Sequence, residues 1–64
     1  MRIDKTKIGI AMAKKLLKQQ QLADLAGVSR QTLSYVMNGR SCKPELLGKI
    51  AKVLEVDPES IIEY

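Results

Sequence analysis

The stretch LAGVSRQTLSYVMNG, residues 25–39, decides how this chain folds. Apolar residues recur at helical spacing up to Ala26, are interrupted by Gly27, Val28 and Ser29, and resume at once from Arg30. Three residues are too few for a linker, and each has a separate task. Gly27 can take the left-handed conformation that closes a helix without a Cβ penalty. Val28 is expected to point inward and close the corner. The Ser29 hydroxyl can accept from the amides of Gln31 or Thr32 and so open the next helix. Ala23, on the preceding helix, is small enough to let the two helices cross closely.

Working outward, Asn38-Gly39 ends the helix that begins at Arg30, and Arg40-Ser41-Cys42-Lys43 is a short polar loop. Pro44 suits the first turn of a further helix, which carries Leu46, Leu47, Ile50, Ala51, Val53 and Leu54. Asp57 and Pro58 read as N-cap and first residue of a last helix, with Ile61, Ile62 and Tyr64 as its apolar face. Upstream, Asp4 can cap a first helix. Its apolar stripe is Ile8, Ala11, Met12, Ala13, Leu16 and Leu17, with Lys7, Lys14, Lys15 and Lys18 on the other side. Nothing local stops a helix between Leu16 and Leu22, so periodicity alone allows one long helix over residues 5–26. The expectation is an all-α single domain over residues 1–64, built from five short helices, with no strand pattern.

At 64 residues the chain is one domain, and a domain this small buries only about 60% of the surface its unfolded chain exposes. One cysteine and no histidine exclude a disulfide framework and a tetrahedral zinc site. No apolar run approaches a membrane span, and Lys5, Lys7, Lys14 and Lys15 interrupt any signal-peptide core, so a cytoplasmic protein with a reduced thiol is expected. The net charge of +4 is unevenly distributed. Residues 1–43 hold nine Lys or Arg against Asp4 and Asp24, a local charge of +7, whereas residues 44–64 carry −3. One end should attract polyanions and the other should not. No paired carboxylates, histidine or Gly-rich phosphate cradle suggests an enzyme, and no cofactor, metal or small-molecule ligand is expected. The basic amphipathic segment KIGIAMAKKLLK resembles an interfacial helix, but the core needs the same stripe.

A helix, a three-residue turn containing glycine and a second helix make a helix-turn-helix unit, here over about residues 19–38. Within its second helix, about residues 30–37, Leu33 and Val36 should pack inward, which leaves Arg30, Gln31, Ser34 and Tyr35 outward. Four polar residues alone would be a solvated face. Combined with the turn and the basic half of the chain, they point to DNA. An α-helix is about 10–12 Å across and the major groove about 12 Å wide. Arg can bond guanine O6 and N7 together, and Gln can do the same for adenine N6 and N7.

The segment from Gln19 to Ser34, followed by Asn38-Gly39 and Pro44 and later by Lys49 to Leu54 and Asp57 to Glu59, resembles the Cro and phage-repressor-type (lambda-repressor-like) helix-turn-helix DNA-binding family. The likeness covers almost the whole chain. It implies a compact five-helix domain with a helix break near Leu17-Lys18 and Gln19 opening the second helix. Relatives often have Gly at the position of Leu16 and a Ser, Thr or Asn cap at that of Lys18. Many pair an Arg with a Glu where this chain has Met12 and Met37, so these two methionines are expected to touch, since packed apolar groups can replace a buried ion pair at little cost. Carried over by position, Arg30, Gln31, Ser34 and Tyr35 face bases. Gln19, Thr32, Asn38, Arg40 and Lys43 face phosphates, with backbone amides of residues 38–40 also able to hold one. The partner implied is double-stranded DNA with a two-fold symmetric operator. A homodimer is expected on DNA and a monomer off it. Val56, Pro58, Ser60, Ile61 and Tyr64 are candidates for its interface, although Ile61 and Tyr64 serve equally well as caps on the core. The function implied is a sequence-specific transcriptional regulator, with repression the expected outcome. The competing expectation is an antitoxin or adaptor module whose main partner is another protein. Cys42 reads as a small loop residue, with Lys43 and Arg40 near enough to lower its pKa.

Overall fold

Local chemistry sets each helix boundary. Asp4 is extended, and its carboxylate accepts from the Thr6 and Lys7 amides at 2.9 and 3.0 Å, which opens α1 (Lys5–Lys15). α1 ends at Leu16, which adopts φ 55 and ψ 39 while its amide bonds back to Met12 and Ala13. The Leu17 amide also donates to the Met12 carbonyl at 3.0 Å. Leucine thus takes the left-handed position that glycine occupies more cheaply, and the single long helix allowed by periodicity is broken there. The computed structural model describes residues 1–63. It continues with α2 (Gln19–Ala26), α3 (Arg30–Met37), α4 (Pro44–Leu54) and a 3-10 turn (Pro58–Ile61), and two short strands, β1 (Arg2–Ile3) and β2 (Ile62–Glu63), close it.

Two expectations are corrected. The described residues form four α-helices, not five: Asp57 and Pro58 do open a helical turn, but it is a 3-10 turn of four residues. The Ser60 amide bonds the Asp57 carbonyl at 2.9 Å, the tighter helical pattern. The turn stops because Ile62 is drawn into antiparallel pairing with Ile3, and Glu63 with Arg2. The Asp4 amide extends this pairing by donating to the Ile61 carbonyl at 2.8 Å. Strands are therefore present, at two residues each too short for any alternation to show.

The core draws on every element. Ile3, Ile8, Leu22, Leu33, Ile50, Leu54 and Ile61 are almost wholly buried, and no charged side chain is buried with them among the described residues. Met12 lies in this core, and Met37 packs half-buried against it. Ala13 and Leu16, assigned to the apolar stripe of α1, face solvent instead. Lys15 meets Glu55 at 3.0 Å and ties the C-terminal ends of α1 and α4 together. No helix among the described residues is long and apolar enough to cross a membrane.

Opposite glycine substitutions test two of the three left-handed helix ends, those of α1 and α2. Leu16→Gly removes a left-handed strain of about 1–2 kcal/mol but adds unfolded-state entropy, for a net gain of about 0.5 kcal/mol, or about 2–4 °C in Tm. Gly27→Ala places a Cβ at φ 71 and should cost about 1 kcal/mol. Thermal unfolding followed by circular dichroism reads both signs.

Candidate nucleic-acid interface

The corner between α2 and α3 orients everything that follows. Gly27 closes α2 at φ 71 with its amide on the Ala23 and Asp24 carbonyls, and the Val28 amide returns to Ala23 at 3.0 Å. Val28 is half-buried against the core, and Ala23 is buried beneath it. Ser29 is extended: its Oγ accepts from the Thr32 amide at 3.0 Å and donates to Thr32 Oγ1 at 2.7 Å. This leaves the Thr32 hydroxyl its own proton to donate outward. Leu33 and Val36 anchor α3 in the core, so Arg30, Gln31 and Tyr35 are exposed on the other side and Ser34 is half-buried at its edge.

At the far end of α3 the Asn38 side-chain amide donates to the Ser34 carbonyl at 2.8 Å, and its second N–H remains to be used. Gly39, at φ 86, turns the chain outward. Arg40 lies over the Tyr35 ring, its guanidinium carbon 5.7 Å from the centroid. This cation–π contact holds an arginine beside the outer face of α3. Lys43 is exposed at the start of α4. Backbone amides contribute less here than the resemblance implies. Those of Asn38 and Gly39 cap α3 through the carbonyls of Ser34, Tyr35 and Val36, so that of the three only the Arg40 amide is not spent on the helix end.

Near the other end of the unit, half-buried Gln19 begins α2. Gln21 Oε1 accepts from the Lys18 amide at 2.8 Å. Lysine has no acceptor with which to complete a capping box, so the first amides of α2 stay open beside a cationic side chain, an arrangement suited to an anion. Lys18 thus joins Gln19, and its signal in the sequence was a lysine standing where a cap is usual. Arg2 was also missed. Its strand forms an antiparallel bridge to Ser41, and the Cys42 amide donates to the Met1 carbonyl at 2.7 Å. Exposed Arg2 is thereby laid beside the Arg40–Lys43 loop by a pairing that no local pattern foretells.

Cys42 corrects another expectation. Its thiol is buried and donates to the Lys43 carbonyl at 3.4 Å, and burial pushes its pKa up despite a positive charge at the N-terminus nearby. Of the residues considered for self-association, Val56 is half-buried against the core, Pro58 and Ser60 are exposed, and Ile61 is buried as part of the core of its own chain. Tyr64 lies outside the described residues.

Comparison with known proteins agrees with this geometry. A family model described as helix-turn-helix matches residues 6–61. No curated protein matches the chain. Among solved structures, the chain superposes over its full length on a mutant of hydroxyethylphosphonate dioxygenase and on native PhpD with cadmium, each at 28% identity and a TM-score of 0.84. PhpD with cadmium and hydroethylphosphonate gives 28% and 0.83. The chain spans 14% of the length of these proteins.

Two measurements test the corner and the loop. Ser29→Ala removes the N-cap of α3 and should lower the unfolding free energy by about 1 kcal/mol in urea titration. The raised pKa and burial of Cys42 predict that a disulfide-exchange reagent labels the native protein at neutral pH far more slowly than the urea-unfolded chain.

Proposed function

Because the chain belongs to the helix-turn-helix family, we propose that it is a sequence-specific regulator of transcription that lays α3 in the major groove of double-stranded DNA, with repression as its effect. One observation carries the reading. Residues 25–44 include Arg30, Arg40 and Lys43 and not one carboxylate, and the corner turns the polar side of that stretch outward. The superposed enzymes carry the same fold as a small part of a longer chain, so the fold alone does not argue for DNA. The surface chemistry does.

In this reading Arg30, Gln31, Ser34 and Tyr35 meet base edges. Arg30 and Gln31 have the forked geometry for guanine and adenine, and Ser34 is short enough to serve from the edge of the face. Tyr35 offers its ring edge to a thymine methyl. Gln19, Thr32, Asn38, Arg40 and Lys43 hold phosphates on the two sides of the groove, with Lys18 and Arg2 added to them. Phosphate contacts set register and affinity, whereas base contacts set specificity. Two copies on a symmetric operator would place their recognition helices about 34 Å apart. Repression is the effect we propose, since occupying a promoter needs no activating surface.

The test is selection from a random duplex library at near-physiological salt. Enrichment of a two-fold symmetric site is expected, and Gln31→Ala should change the preferred base at one position of each half-site. Arg40→Ala should weaken all sequences alike. With about six phosphates neutralised, the log–log salt slope should be near −5, and Arg40→Ala should reduce its magnitude by about 1. General, salt-sensitive binding without enrichment would sink the operator reading and move the search to a protein partner.

A further inference from the structure

α1 buries Ile8, Ala11 and Met12 and leaves Gly9, Ile10, Ala13 and, at its end, Leu16 in solvent. Helical spacing of three and four residues makes these four neighbours on the outer side. Two of them are poor choices for the fold. Gly9 sits inside the helix, where glycine is less stable than alanine. Yet a Cβ there would meet nothing within 4 Å, and no positive φ requires its absence. Leu16 is 87% exposed and takes the left-handed conformation at φ 55. Glycine there would relieve the strain and leave no apolar side chain in water. Both exchanges would strengthen the isolated domain. We infer that this outer side of α1 is a docking surface for an acidic amphipathic helix of a second protein, with Ile10 and Leu16 as anchors and Gly9 and Ala13 as the floor between them.

The small pair explains why the occupant is a helix. Gly9 and Ala13, four residues apart, leave a shallow trough along α1, and small side chains at a crossing let two helix axes approach to about 8 Å. A Cβ at Gly9 would stand in that trough. Charge sets the chemistry of the partner. α1 contains Lys5, Lys7, Lys14 and Lys15 and no carboxylate. Asp4, just before it, is spent on the Thr6 and Lys7 amides. Lys15 is spent on Glu55, and Lys7 donates to the Ile62 carbonyl at 3.4 Å. Lys5 and Lys14 are exposed and form no ion pair among the described residues. Helical geometry puts them at opposite edges of the trough, where carboxylates on the two flanks of an amphipathic helix would meet them. A second copy laid α1 on α1 would instead set lysine against lysine. Gly48 of α4 is as open as Gly9, but Glu45, Lys49 and Lys52 surround it with charge, which makes it a solvated surface without an anchor. Docking on α1 requires no DNA and stands whether or not α3 reads bases.

The test is selection from a display library of helical peptides with randomised surface positions, against the full chain at low salt, followed by titration of an enriched peptide into isotope-labelled protein. Enriched peptides should carry large apolar residues on one face and Asp or Glu on its flanks. They should bind weakly, as an interface of under about 1,200 Å² does, and shift the amide resonances of Gly9, Ile10, Ala13 and Leu16. Leu16→Gly should raise the dissociation constant at least about five-fold and Gly9→Ala about three-fold. Both should also raise Tm, Leu16→Gly by about 2–4 °C and Gly9→Ala by about 4–8 °C. A firmer fold with weaker binding is a combination that no folding defect produces. Lys14→Glu should weaken the acidic peptide about two- to five-fold. No enrichment, enrichment without acidic residues, resonance shifts elsewhere, or a Leu16→Gly variant that binds as the wild type does would each overturn the assignment. So would the same shifts on adding phosphatidylserine vesicles in place of any peptide, which would mark a membrane contact, or on raising the protein concentration alone, which would mark a second copy.

Discussion

The return of the Val28 amide to the Ala23 carbonyl, at 3.0 Å across a left-handed Gly27, is the contact on which the functional face depends. It ends α2 and swings the chain through the corner, so that Ser29 can cap α3 one residue later. Leu33 and Val36 then have only one direction in which to bury themselves. Once they do, helical geometry turns Arg30, Gln31 and Tyr35 to the opposite side. The side chains that give the face its chemistry make little of the core. Their placement follows from apolar burial behind them and from a backbone turn that an ordinary L-residue resists.

A second constraint makes so short a chain sufficient. β1 pairs with β2 along one side and bridges Ser41 along the other, and Ile3 beneath it is wholly buried. Four residues at the N-terminus thereby join the loop after α3 to the closing turn of the chain. Backbone hydrogen bonds do this together with the burial of Ile3, in a domain that has little apolar surface to spare. The same lacing brings Arg2 to the Arg40–Lys43 loop and sets Glu63 opposite it. The acidic late chain thus meets the basic early one at two places, Glu63 opposite Arg2 and Glu55 beside Lys15.

The superposition on hydroxyethylphosphonate dioxygenase separates fold from role. A helix-turn-helix core can be built into a much larger chain, since its packing requires only the buried apolar set and the corner. What the exposed residues do is decided by their own chemistry. Here that chemistry is a carboxylate-free stretch around α3, an arginine stacked on a tyrosine, and a basic α2 start without a side-chain cap.

By itself, the sequence determined the corner, the capped start of α3, the proline-led α4 and the outward polar set. Each rests on chemistry within a few residues: a glycine without a Cβ, a hydroxyl next to a bare amide, a helical period of apolar side chains. Its local chemistry left open whether residues 5–26 formed one helix, because no group forbids continuation at Leu16, and only the family resemblance implied the break near Leu17-Lys18. The buried contacts of α1 and α2 with the rest of the core decided that, and they hold Leu16 in a conformation it does not favour. Only the tertiary structure placed β1 against β2 and Ser41, shortened the last helix to a 3-10 turn, buried Ile61 and raised the pKa of Cys42 against the pull of nearby positive charge. Those outcomes depend on partners some twenty to sixty residues away. No periodicity encodes such pairings, because their energy comes from backbone groups and desolvation that exist only once the chain has closed.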